Sequence, residues 1–89
     1  MATVRFAPSI QRHVECRTRD VEGDTIRAVL ERYFEENEQA RGYVLDDQGR
    51  LRQHMAVFVD GRHIGDRKGL TDPVAADAVV ELIQALSGG

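Results

Sequence analysis

The sequence closes on Gly88-Gly89, and that pair is where its residue types most plainly suggest chemistry. Glycine has no Cβ, so two in succession pass through a channel too narrow for other side chains. The α-carboxylate of Gly89 is ionised at neutral pH, since a free chain end ordinarily titrates at about 3.3–3.7. A carboxylate oxygen attacks the α-phosphate of ATP and expels pyrophosphate. The resulting acyl-adenylate then reacts with a sulfur or amine nucleophile, which replaces AMP. The chain has no residues for the metal, the phosphate contacts or the transition-state charge, so a partner enzyme must supply them. From Leu86 onward, four extended residues reach about 13 Å at about 3.3 Å each. That length puts a carboxylate inside another protein's active site while the globular body stays outside.

Other candidates fall short. Cys16 lies on the apolar side of an alternating run and reads as an inert core thiol. His13, His54 and His63 lack metal-ligand spacing and read as surface residues, so no metal site is expected. Asp46-Asp47-Gln48-Gly49 lacks the alternating acids and closing Glu of a calcium loop. Gly61, Gly65 and Gly69 are too loosely spaced to cradle a phosphate, and Ser9 and Ser87 lack the setting of an activated nucleophile. The expectation is a carrier or co-substrate protein acted on by enzymes, and not an enzyme.

The elements that must hold such an end can be read from periodicity. Thr3-Val4-Arg5-Phe6 alternates as a first strand that Pro8 stops, and Val14 to Arg19 alternates as a second. Asp24 or Thr25 is suited to cap a helix. Ile26, Val29, Leu30, Tyr33 and Phe34 form one apolar stripe at period 3.6, so the helix should run to Glu36–Asn37. Residues 38–53 read as turn-rich connection. His54 to Val59 reads as a strand, Asp60-Gly61 as a tight hairpin turn, and Arg62-His63-Ile64 as a short return strand. Ala78 to Ala85 is the last strand, with Val80 and Leu82 on one face and Val79, Glu81, Ile83 and Ala85 on the other. The order predicts a two-layer α+β domain: a mixed sheet of four or five strands with one main helix on one face. Ala7 and Ile83 are candidates for the side the helix leaves open, where an apolar residue would favour a partner surface.

Composition sets the outer bounds. With 89 residues, 42% apolar and 30% charged, the chain is one globular domain. A net charge of −3 argues against a general nucleic-acid binder. No apolar run reaches the roughly 18 residues of a membrane helix, and Met1 to Phe6 has no signal-peptide character. One cysteine suits a reducing cytoplasm. Charge is unevenly placed. Acids dominate residues 20–38 (Asp20, Glu22, Asp24, Glu31, Glu35, Glu36, Glu38), whereas bases dominate 41–68 (Arg41, Arg50, Arg52, Arg62, Arg67, Lys68). Such a polarised surface could orient a protein partner.

Several blocks together resemble the ubiquitin-like β-grasp sulfur carriers (MoaD/ThiS-like), which include the small subunit of molybdopterin synthase and the thiamine sulfur carrier. They are Val4-Arg5-Phe6-Ala7-Pro8, Gly23-Asp24-Thr25-Ile26, Asp47 to Arg52, Val57-Phe58-Val59-Asp60-Gly61, Gly69 to Val74 and Ala85-Leu86-Ser87-Gly88-Gly89. Two positions depart from the pattern: Ala76-Asp77 stands for the usual Gly-Asp, and Ile83-Gln84-Ala85 for an apolar-Pro-Ala run. The resemblance implies a β-grasp body over residues 1–85 and a flexible tail over 86–89. It implies that Gly89 is adenylated by an E1-like enzyme and converted to a thiocarboxylate, with Gly88 giving access. The sulfur would come from a sulfurtransferase or cysteine desulfurase and pass to an acceptor enzyme of molybdopterin, thiamine or cysteine synthesis. Ala7, Ile83, Leu86 and Ser87 would contact partners. No cofactor would be bound, ATP being the activating partner's, and neither nucleic acid nor membrane would be involved. Two alternatives stay open: a ubiquitin-like modifier joined to lysines through Gly89, and a non-catalytic β-grasp interaction module.

Overall fold

A computed structural model describes residues 1–84 of the chain. The elements in order are β1 (Ala2–Phe6), α1 (Pro8–Gln11), β2 (Arg19–Val21), α2 (Ile26–Glu35), α3 (Glu38–Val44), β3 (Met55–Val59), β4 (Arg62–His63) and β5 (Val79–Gln84). They form a five-stranded mixed sheet in the order β2-β1-β5-β3-β4. β5 lies at its centre, parallel to β1 and antiparallel to β3.

The apolar stripe of α2 folds as its spacing requires. Ile26, Val29, Leu30, Tyr33 and Phe34 are all buried. They meet Val4, Phe6, Met55, Val57, Val80 and Leu82 from the sheet in one core. The Thr25 hydroxyl accepts a hydrogen bond from the Ala28 N–H at 3.1 Å, a cap worth about 1 kcal/mol. The two earlier donors of that turn are met from another segment: Ile26 N–H reaches the Asp72 carbonyl at 3.0 Å and Arg27 N–H reaches that of Leu70 at 2.8 Å. Tyr33 is buried, yet its hydroxyl donates to the Arg17 carbonyl at 2.7 Å, and burial pushes its pKa up to about 12.

The structure corrects the sequence reading in three places. Val14 to Arg19 is not a strand; β2 begins only at Arg19, and its register pairs Ala2 with Val21 and Thr3 with Asp20. Cys16 is nevertheless buried, and burial raises its pKa, but it sits in the connection and not in the sheet. Pro8–Gln11 forms a short helix, with proline in its first turn where a missing N–H costs nothing, and Ile10 is buried beneath it. Residues 38–44, read as connection, are α3, which buries Ala40 and Val44 at an i, i+4 spacing. The sheet therefore has five strands, with α1 and α3 added to the main helix. The Asp60-Gly61 turn forms as expected, with φ of 50° and 86° at its two residues. The last strand is described from Val79 to Gln84, and Ala85 and the expected tail over 86–89 lie outside the described residues.

The connection before β5 is organised by carboxylates. Asp66 accepts from the N–H groups of Lys68 at 3.2 Å and Gly69 at 2.8 Å, and from the Thr71 hydroxyl at 2.7 Å. Asp72 accepts from the N–H groups of Gly65 and Asp66 at 2.9 and 2.8 Å. The Thr71 hydroxyl and the Gly69 amide hold the Asp66 carboxyl well below its ordinary value, at about 2. The folded value lies below the unfolded one, so the charged form favours the fold. That contribution is complete above the ordinary value of 3.8 and fades as pH falls toward about 2. Asp66→Asn is therefore expected to be less stable at neutral pH and to lose less of its remaining stability between those limits. Denaturant melts across that interval check this; parallel pH profiles for the two proteins would overturn it.

Candidate functional site

The structure describes the chain as far as β5, so the site is built from what surrounds the last described residues of that strand. Gly88, Gly89, Leu86 and Ser87 lie outside the described residues. Ile83 and Gln84 are the last two residues described, and both are half-buried. Strand pairing sets which side each faces. Val80 and Leu82 point into the core, so Glu81 and Ile83 point to the side the helices leave uncovered.

On that outer side, register places Ile83 opposite Ala56 and Glu81 opposite Phe58 on β3. Phe58 in turn pairs with His63 on β4, their rings edge to face at 5.2 Å between centroids. Arg5 of β1 pairs with Glu81, and its guanidinium lies 3.4 Å from the carboxylate. Both side chains are substantially exposed, so the pair is worth about 0–1 kcal/mol and fixes orientation more than stability. The outer face thus carries a small apolar patch of half-buried Phe58 and Ile83, with Ala56 itself buried, bordered by one ion pair and one histidine. Ala7 follows β1, and its N–H donates to the Leu82 carbonyl at 2.9 Å. It is half-buried and packs against the edge of the core, alongside the same end of β5.

The sequence reading did not assign Ala56, Phe58 or His63 to this outer face. The signal was there: Met55-Ala56-Val57-Phe58-Val59 is apolar at every position, and a strand without alternation has something to cover on both faces.

At the root of the tail, Tyr43 of α3 donates its hydroxyl to Gln84 Oε1 at 3.1 Å. The Tyr43 ring stacks on His13, with centroids 6.1 Å apart, and meets His54 edge to face at 5.5 Å. Two of the three histidines therefore flank one tyrosine, while His63 is remote on β4. Among the described residues no three His, Cys, Asp or Glu side chains gather as metal ligands, and no helix is long and apolar enough to cross a membrane.

The chain fits known proteins along its whole length. The family model described as the ThiS family matches residues 7–89. Among solved structures, SAMP1 from Haloferax volcanii superposes with a TM-score of 0.77 at 24% identity, covering 99% of this chain and 98% of that one. Mycobacterium tuberculosis CysO superposes with a TM-score of 0.80 at 19% identity, covering 97% and 100%. The Amycolatopsis orientalis BexX/CysO complex contains a chain that matches with a TM-score of 0.81 at 15% identity over 100% of both. At these identities the likeness establishes the fold. Among curated proteins no sequence matches the chain. A family model matching all but the first six residues, on a sheet ordered β2-β1-β5-β3-β4 beneath α2, makes the chain a member of the ThiS family of ubiquitin-like β-grasp sulfur carriers.

Proposed function

We propose that the chain is a sulfur carrier that works through its C-terminal carboxylate. An E1-like partner binds the body, the Gly89 carboxylate attacks the α-phosphate of ATP, and pyrophosphate leaves. A persulfide on a sulfurtransferase or cysteine desulfurase then attacks the acyl carbon and displaces AMP; a second thiol reduces the resulting acyl disulfide, becoming part of a new disulfide and leaving a thiocarboxylate, which donates its sulfur to an acceptor enzyme of cofactor or cysteine synthesis. The observation that carries this reading is that the ThiS family match runs to residue 89 and so includes Gly88-Gly89. The outer face of β5 and β3 supports it. Ile83 and Phe58 offer a partner an apolar foothold beside the strand that leads to the tail. The likeness to a chain of the BexX/CysO complex fits a body that docks on a second protein.

The test is intact mass. The protein ending at Gly89 is incubated with ATP, an activating enzyme and a sulfur donor. Replacement of one oxygen by sulfur is the expected result. Attachment to lysines of other proteins, with no sulfur gained, would instead make it a modifier. No ATP-dependent change with any adenylating enzyme of the source organism would leave an interaction module.

A further inference from the structure

We propose that the basic pocket between residues 46–54 and Arg67–Lys68 docks an acidic polypeptide segment of the enzyme that receives the tail. This rests on the carrier reading above for the identity of the partner, but the pocket is argued from its own geometry. Arg50, Arg52, Arg67 and Lys68 converge on it, with Leu51 and His54 in its wall and Asp46 as its one acid. The two segments are joined by the Leu51 N–H, which donates to the Arg67 carbonyl at 2.9 Å. Arg27 of α2 ties them from behind, its guanidinium donating to the carbonyls of Gly49 at 2.9 Å and Lys68 at 3.2 Å.

Two of the cations, Arg52 and Arg67, are held but not neutralised. Arg52 Nε donates to the Gly42 carbonyl at 2.8 Å, and Arg67 donates to the Arg52 carbonyl at 2.8 Å. Carbonyls position a guanidinium without cancelling its charge. Asp46 is committed to Arg50, 3.1 Å from its Nε, and to the N–H groups of Gln48 and Arg50. Among the described residues, Arg52, Arg67 and Lys68 form no ion pair. A chain of net charge −3 thus concentrates positive charge at one place.

That concentration selects the ligand. Several nearby backbone donors are already spent: Gln48 and Arg50 on Asp46, Leu51 on Arg67, Arg52 on Val44, and Lys68 and Gly69 on Asp66. The basic residues form one spot and not the stripe that a nucleic-acid backbone needs. Side-chain carboxylates on a partner surface can meet these guanidiniums from outside. The position suits that partner. His54 of the pocket wall packs on Tyr43, whose hydroxyl holds Gln84 at the root of the tail. An enzyme that admits the tail must therefore come close to this flank.

The ¹⁵N-labelled full chain, titrated at low salt with an acetylated hexaglutamate amide, reads the pocket without any activating enzyme. The expected result is saturable shifts of the Arg50–His54 and Arg67–Lys68 amides, with binding weakened at least about tenfold in Lys68→Glu and further in Arg52→Glu/Lys68→Glu. Lys68→Glu touches an exposed side chain, so it reports even if the double variant folds poorly. With the activating enzyme, Lys68→Glu should raise KM and leave kcat unchanged. Hexaglutamate that leaves these amides unshifted, pyrophosphate that binds there more tightly than hexaglutamate, or an unaltered KM in Lys68→Glu would each overturn the proposal. Failure of the mass test while hexaglutamate still binds would strike the carrier reading and, with it, the identity of the partner.

Discussion

Removing Gly89 should abolish ATP-dependent activation and leave the fold standing. The shortened chain still ends in a carboxylate, now on Gly88, so the reacting group is chemically the same. It has moved back by about 3.3–3.6 Å, one extended residue. Attack requires the reacting atoms within about 3–3.5 Å of one another, and a misplacement of about 1 Å already costs about a hundredfold. The adenylation rate should therefore fall by at least that factor. Glycine contributes no side chain to the core, so Tm should move by no more than about 2 °C, equivalent to well under 1 kcal/mol. Gly88→Val makes the complementary change: it keeps the length, adds a β-branched side chain, and should also block activation. Pyrophosphate release assays and thermal melts check both. Normal turnover by the shortened chain, or a fall of more than about 5 °C in its Tm, would refute the idea that the end is a substrate and not a structural part.

Adjacent residues on β5 should give opposite phenotypes. Leu82 is fully buried and packs in the core shared with α2. Leu82→Ala should cost about 2–5 kcal/mol, through lost burial and the cavity left behind. Against a total of about 5–15 kcal/mol that is a large fraction, and Tm should drop by about 10–30 °C. Ile83 is the next residue and faces outward, opposite Ala56. Ile83→Ala should cost about 1 kcal/mol or less, because only part of the side chain is covered. Its effect should fall on the partner instead, lowering kcat/KM for activation about tenfold, as loss of an interface anchor does. Melts and steady-state kinetics on the two variants decide the matter. A large stability loss at Ile83 with normal kinetics would remove the outer face from the docking surface.

Legibility varied with the source of each signal. α2 was plain because five apolar residues recur at helical spacing and Thr25 caps them, both local facts. The Asp60-Gly61 hairpin was plain because two consecutive positive φ angles admit few residue types. α3 was hidden because only Ala40 and Val44 mark its buried side, and Gly42 in its middle weakens helix propensity by about 1 kcal/mol. Its stability comes from what it packs against. The second strand was misplaced because Val14 and Cys16 alternate as strand residues do. They instead cover the core from a connection, and pairing with β1 begins at Arg19.

The same division holds for function. The Gly88-Gly89 pair on which the proposed chemistry rests is a covalent fact, present before any folding. So is the alternation that sends Leu82 inward and Ile83 outward, because a strand turns successive side chains to opposite faces. Folding alone assembles the rest. Register sets Phe58 beside Glu81 and His63. Hydrogen bonds from Arg27 and Leu51 draw residues 49–51 against Arg67 and Lys68, and α3 brings Tyr43 to Gln84. These residues are far apart in the chain, and no local preference encodes their meeting; burial of the common core brings them together.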